Sequence, residues 1–138
     1  RLTWEGDRFL RNCPSGVNPN LNFPTGFGRF GPLVKLLYRP DRPGPLFHGP
    51  EPLSEPICRE VADLLRGVED LRLFIDFHSY GQKWGFPYVH TRQRAPDFAR
   101  LRAGAELAAD AAHRVHGTEY EAMQLAFLET GGGTILDW

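Results

Sequence analysis

Long apolar runs are missing from this chain. No stretch approaches the ~20 consecutive apolar residues that a helical membrane span needs, and no charged-then-apolar leader opens it, so a membrane partner is not expected. A surplus of charge is missing too. Lys and Arg number 16 against 17 Asp and Glu, a formal net charge of −1, which supplies neither the basic field of a nucleic-acid binder nor a strong acidic one. Cysteine is scarce: Cys13 and Cys58 allow one disulfide or two free thiols, and they define no redox compartment. Methionine occurs once, at Met123, and the first residue is Arg1, so the chain is expected to be processed or cut from something longer. The G-x-S-x-G and Walker-type glycine signatures are absent, which leaves serine-hydrolase and nucleotide-binding readings without support.

What is present suits one globular domain. A chain of 138 residues buries roughly two thirds of its unfolded surface, enough for a core. Residues 1–53 are rich in Gly, Pro and Asn with Phe, Leu and Trp interleaved, a composition that predicts long ordered loops, and such loops in compact domains usually carry function. From Ser54 the pattern changes. Ser54 can cap a helix, Pro56 suits its first turn, and Ile57, Val61, Leu64 and Leu65 recur at helical spacing until Gly67 stops the run. This helix is expected to lie on the segment that follows. "LRLFIDFHS" at 71–79 predicts a central strand covered on both faces, and "GFPYVHT" at 85–91 a short neighbour. Phe98, Leu101, Ala105, Ala108, Ala112 and Val115 form a second helical stripe between Ala95 and His116, and a further short strand is expected near Met123 to Phe127. The order of elements predicts an α/β fold.

His78 is the residue that calls for explanation. It stands where the predicted buried strand ends, and open α/β sheets place their binding crevices outside the carboxyl ends of strands. Imidazole there suits a zinc ligand, and it equally suits a hydrogen-bonded core residue. The other histidines read as ordinary: His113 and His116 on a solvated helix face, His48 structural in an HGP turn, and His90 in a loop without a visible partner.

Five stretches settle the alternatives in one direction. "GVNPNLNFP" at 16–24, "FHGPEPLSEP" at 47–56, "DFHSYGQ" at 76–82, "FPY" at 86–88 and "GGGTILDW" at 131–138 occur in the order and approximate spacing of motifs in the zinc carboxypeptidases, and the chain resembles the central part of such a catalytic domain. The resemblance implies a mixed β-sheet with helices on both faces, here as a partial domain within residues 1–138. It implies zinc as cofactor, a peptide or amide as substrate, and hydrolysis as the reaction. By the same resemblance His78 matches a zinc ligand and Arg11 the arginine that polarises the scissile carbonyl. Asn20 matches a holder of the substrate's terminal carboxylate. Ser79 and Tyr80 match residues beside the metal, with cis peptides implied at Ser79–Tyr80 and Pro87–Tyr88. Ile135 or Leu136 falls at the base of the specificity pocket, where an apolar residue implies apolar or aromatic preference, and Gly85 is expected to leave that pocket roomy.

The departures from the family pattern are specific. Leu21 stands where the family has an arginine that clamps the C-terminal carboxylate, and leucine donates no hydrogen bond. Arg29 and Arg39 are the candidates to compensate. No HxxE motif precedes the 16–24 stretch, where the family pattern would need one to supply the other zinc ligands, and the catalytic glutamate is not matched. Glu129 resembles it only locally, because Gly131–Trp138 fits an earlier loop better. The remaining segments of its own catalytic domain are therefore the expected partner, and this segment alone is not expected to be a competent peptidase. The alternatives are a non-catalytic carboxypeptidase-like domain that binds peptide or protein, and a zinc amidase or cell-wall peptidase on the same scaffold.

Overall fold

The computed structural model describes residues 16–44, 46–127 and 131–138. The elements run α1 (Pro32–Tyr38), α2 (Pro56–Arg66), β1 (Lys83–Phe86), α3 (Phe98–His116) and β2 (Glu121–Gln124), with short 3-10 turns at Pro19–Leu21, Leu125–Phe127 and Ile135–Asp137. Among the described residues no helix is long and apolar enough to cross a membrane.

Two packed units meet at the C-terminal loop. In the first, α2 starts with Pro56 at its first position and closes on Gly67, whose N–H donates to the carbonyl of Asp63. Glu55 takes the cap position; Ser54 instead donates to the Glu55 carboxylate. The helix buries Cys58 and Ala62 against Phe23, with Leu53, Val61, Ile135 and Trp138 packed around them. The rings of Phe23 and Trp138 lie 5.9 Å apart, and the Arg66 guanidinium sits 4.6 Å over the Trp138 ring. This α2 therefore rests on the loops around 19–23 and 135–138, not on the segment that follows it. Its expected stripe is displaced, with Ile57 and Leu64 exposed.

In the second unit, β1 and β2 pair in parallel, with Lys83 opposite Glu121 and Phe86 opposite Gln124. Helix α3 packs across both strands, burying Ala105 and Ala109, and Phe98 meets Phe86 edge-on at 5.4 Å. Small alanines let the helix approach the sheet closely while Leu107 and Val115 remain exposed.

Residues 71–78 correct the sequence expectation. They form no strand, and Leu71, Leu73, Ile75 and Phe77 are exposed, Phe77 at 84%. The physical reason is the lack of neighbours: a central strand needs a partner on each edge, and among the described residues β1 and β2 pair only with each other. The alternation of apolar residues at odd positions is nonetheless that of a strand. The helices on both faces reduce in the same way to α3 on the two-stranded sheet.

Cys58 is a free thiol, 2% exposed, whose Sγ donates to the Pro19 carbonyl at 3.5 Å; Cys13 lies outside the described residues. Burial, with the Glu55 carboxylate adding to it, pushes the thiol up to about 11 from 9.0. A raised value keeps thiolate scarce at neutral pH. In a Cys13→Ser chain at pH 8, Ellman's reagent is expected to label Cys58 about 100-fold more slowly than in the urea-unfolded chain. Equal rates in the two states would show that the thiol is not held in the core.

Candidate active site

The segment that carries Asn20 is held by its own neighbours. Asn18 caps the Pro19–Leu21 turn, its Oδ1 accepting from the Asn20 backbone N–H at 3.0 Å. Asn20 is exposed, whereas Leu21, Asn22 and Phe23 are buried. Asn22 is the anchor. Its Nδ2 donates to the carbonyls of His48 (2.8 Å) and Glu51 (3.1 Å) and to Ser54 Oγ (2.9 Å), and its Oδ1 accepts from the Glu55 N–H at 3.1 Å. The backbone carbonyl of Asn22 also accepts from Leu53. One buried amide thus ties the 18–23 turn to the 48–55 loop and the start of α2.

The loop 131–138 threads against the same segment. Gly133 accepts from the Phe23 N–H at 2.8 Å and donates to the Thr25 carbonyl at 2.9 Å, Gly132 donates to the Arg29 carbonyl at 2.7 Å, and Gly131 bridges Phe30. A Cβ on Gly132 would overlap the Gly26 carbonyl, and one on Gly133, which also has φ +85°, would overlap that of Leu21. Only glycine permits this approach. Further along, the Asp137 carboxylate is fully buried and accepts from the N–H groups of Val89 (2.8 Å) and His90 (2.9 Å) and from His90 Nδ1 (2.8 Å). His90, read from sequence as unpartnered, is therefore fixed by Asp137. Gln124 completes the frame: its Nε2 donates to the carbonyls of Tyr88, Thr91 and Gln93.

His78 Nε2 donates to Asp76 Oδ2 at 3.0 Å. In a neutral imidazole that leaves the lone pair on Nδ1. The His78 side chain is 55% exposed and that of Asp76 26%. Among the described residues no group of three or more His, Cys, Asp or Glu side chains converges to hold a metal. Catalytic zinc takes about three protein ligands, so these residues do not make a zinc site by themselves.

The remaining expectations fall out unevenly. Ser79 and Tyr80 are exposed. The Pro87–Tyr88 peptide is cis as the resemblance implied, whereas Ser79–Tyr80 is not; the exposed run has no surrounding structure to impose that isomer. Ile135 packs on the Phe23–Cys58–Ala62 core, and Leu136 is half-buried. The space over Gly85 is taken up by the Leu125 side chain, on which a Cβ would fall, so that position is filled in this chain rather than roomy. Leu21 is a core side chain. Of the two arginines considered as its replacement, Arg39 pairs with Asp41 at 3.5 Å, and Arg29 lines a cleft of about 340 Å³ that none of Asn20, His78, Ser79 or Tyr80 lines. His48 is structural, its Nδ1 donating to the Gly49 carbonyl within a cage of Phe27, Phe30 and Phe47. His113 and His116 are exposed on α3. Arg11 and Glu129 lie outside the described residues.

Sequence reading missed Asn22, Gln124 and Asp137 as the groups that position the loops. Asp137 had a signal, a carboxylate beside tryptophan after a glycine run, but its partners 47 and 48 residues away carry none.

Comparison with known proteins decides the family. The Zinc carboxypeptidase family model matches residues 2–138. The chain belongs to the zinc carboxypeptidase family. It is 34% identical to Carboxypeptidase A2 of Rattus norvegicus over 125 residues, covering 89% of this chain and 28% of that protein. It is 34% identical to Carboxypeptidase B of Astacus astacus over 130 residues, covering 86% of this chain and 41% of that one. The crystal structure of thrombin activatable fibrinolysis inhibitor is 28% identical with a TM-score of 0.78, over 93% of this chain and 31% of that chain. The fold is thus of carboxypeptidase type and a partial domain, since the chain spans well under half the length of these relatives.

The hydrogen bonds of Asn22 give it a measurable role. Asn22→Ala removes the buried amide that bonds the His48 and Glu51 carbonyls and the helix-start N–H of Glu55, and is expected to lower stability to urea by about 3 kcal/mol. Asn20→Ala, at an exposed position, should change it by less than about 0.5 kcal/mol. A loss below about 1 kcal/mol for Asn22→Ala would mean that the loops are held by something else.

Proposed function

We propose that residues 1–138 are the central part of one catalytic domain of a zinc carboxypeptidase-type hydrolase acting on peptide or amide bonds. The observation that carries this reading is the Asp76–His78 hydrogen bond. Metal-ligating histidines characteristically donate their second ring N–H to a carboxylate, which fixes the tautomer and ring orientation, and here Nε2 is so engaged. In this reading Nδ1 of His78 is one zinc ligand, and Asp76 is its orienting group. The other ligands and the general base come from segments of the same domain outside these residues.

The same segments explain the bare apolar edge. Leu71, Leu73, Ile75 and Phe77 would be covered when neighbouring strands flank 71–78, and burying each is worth roughly 1.5–3 kcal/mol. Asn20, exposed on a rigid turn, would donate to the substrate. Arg11 would polarise the scissile carbonyl, a task that suits an always-charged guanidinium. Ser79 and Tyr80 would line the groove beside the metal. Ile135 or Leu136, with Gly85 and the overlying Leu125, would set an apolar side-chain pocket. A peptidic partner accords with the bovine relative solved in complex with tick carboxypeptidase inhibitor.

A second reading rests on Leu21. The family's arginine is replaced by a buried leucine, and with that donor gone a free C-terminal carboxylate loses half of its clamp. This favours a carboxypeptidase-like domain that binds peptide or protein without cleaving it. It also suits a zinc amidase or cell-wall peptidase whose substrate presents no ordinary C-terminal carboxylate.

Native mass spectrometry separates these readings. The 138-residue chain alone is expected to carry no zinc and to hydrolyse no peptide. A longer protein that contains it should carry one zinc per chain. His78→Ala should abolish that binding, and Asp76→Asn should weaken it about 10- to 100-fold. A longer protein that binds peptides yet holds no zinc would replace the hydrolase reading with the binding one. Cleavage of C-terminally amidated peptides, with free-acid peptides spared, would select the amidase.

A further inference from the structure

Helix α1 shows most of its apolar surface to solvent. Between Pro32 and Tyr38 it buries only Val34, while Leu33, Leu36, Leu37 and Tyr38 are between 50% and 74% exposed. At about 100° per residue, Leu36 stands almost opposite Val34, with Leu33 and Lys35 to either side of it. The helix thus presents a leucine ridge edged by a cation. Apolar side chains grouped this closely at the surface mark an interaction site, and this one stands out from the fold instead of lining a concavity.

Both ends of the ridge are fixed. Before it, Phe30 is bridged to Gly131 and the Arg29 carbonyl accepts from the Gly132 N–H at 2.7 Å. After it, Pro40 is buried and its carbonyl accepts from the His48 N–H at 3.2 Å. A ridge on fixed supports loses little freedom when it meets a partner. Its neighbours in sequence choose that partner. Lys35, Arg39 and Arg42 accompany the ridge, and Asp41 is the one acidic residue between positions 32 and 44, whereas the whole chain has a formal net charge of −1. Leucines for acyl chains, a tyrosine for the headgroup level and cations for lipid phosphates are the make-up of a helix lying in a membrane interface. The exposed run 71–77 is of another kind, because its apolar residues alternate at the period of a strand, which suits a sheet.

We propose that α1 docks the protein on an anionic lipid surface, with Leu33, Leu36 and Leu37 entering the acyl boundary and Lys35, Arg39 and Arg42 meeting the headgroups. Such a contact lies at the membrane surface and needs no spanning helix. The sequence expectation of no membrane partner rested on the lack of a span, so it does not bear on this contact. The proposal is independent of the peptidase reading, since none of Asn20, His78, Ser79 and Tyr80 belongs to α1.

Flotation with vesicles of phosphatidylcholine and phosphatidylserine in equal parts tests it, on the 138-residue chain and on a longer protein that contains it. Binding is expected for both, weakening as salt is raised and with vesicles of phosphatidylcholine alone. Leu36→Glu should weaken it about tenfold or more. Lys35→Ala should weaken it about fivefold, the share of one cation near a charged membrane. Both side chains are exposed, so folding should survive, and circular dichroism checks that it does. Phe77→Glu, in the other exposed apolar run, should leave binding unchanged. Binding lost in Phe77→Glu but kept in Leu36→Glu overturns the proposal, as does equal binding of the wild type and Leu36→Glu. Binding by the 138-residue chain and none by the longer protein also overturns it, and assigns the ridge to the interior of the complete domain. A lipid-free dimer that Leu36→Glu dissociates would make a second copy the occupant instead.

Discussion

The close approach of Gly131–Gly133 to residues 21–29 is the constraint on which the described structure depends. Backbone meets backbone there with no room for a Cβ at Gly132 or Gly133, and the hydrogen bonds to Phe23, Thr25 and Arg29 follow from that proximity. The loop then delivers two side chains to different places. Trp138 closes the core beside Phe23, and Asp137 reaches the backbone at Val89 and His90 after β1. One short loop thereby joins the α2 unit to the sheet unit. A buried carboxylate without such partners would be costly to desolvate; three donors make its burial tolerable and its position unique.

Both units leave apolar surface uncovered, and the pattern says where cover belongs. Helix α2 carries one broad apolar stripe, its edge at Cys58 and Ala62 filled and its edge at Ile57 and Leu64 exposed. A stripe wider than the contact that covers it is suited to a further packing partner. Residues 71–77 alternate like a strand and pair with nothing among the described residues. Exposed apolar patches of this kind mark interfaces or aggregation-prone edges. Here they adjoin the segment that ends in His78, so the surface awaiting cover and the candidate ligand belong to the same stretch of chain.

Local signals were legible in the sequence, and long-range ones only in part. Helix α2 was readable because Pro56 and Gly67 bracket a periodic run, and α3 because its apolar stripe recurs at helical period between Ala95 and His116; the buried side of α2 was read less well, since Cys58 and Ala62 look less apolar than Ile57 and Leu64. The strand expected at 71–79 was misjudged because strand formation depends on neighbours that composition cannot show. The family was legible from five short motifs in order, although each alone is weak. The inner frame was not legible. Asn22, Gln124 and Asp137 act on carbonyls and amides roughly 30 to 48 residues away, and backbone partners leave no trace in residue type.

Leu21 shows how a substitution in a binding motif can be read physically. The turn that holds Asn20 outward also turns position 21 inward, where it is 9% exposed and its carbonyl lies against Gly133. A leucine here strengthens the core by roughly the worth of a buried apolar side chain. An arginine at the same backbone position would have to leave the core and reach the groove, because an unpaired buried guanidinium is prohibitively costly. The exchange therefore does more than delete a donor. On the proposed reading it converts a group that would face the substrate into one that faces the interior, and recognition on this side of the groove would fall to Asn20 and to residues outside the turn. A substrate that offers a full carboxylate to this surface would leave one of its oxygens short of a charged partner. On the proposed reading that mismatch lies at Leu21 and not at His78.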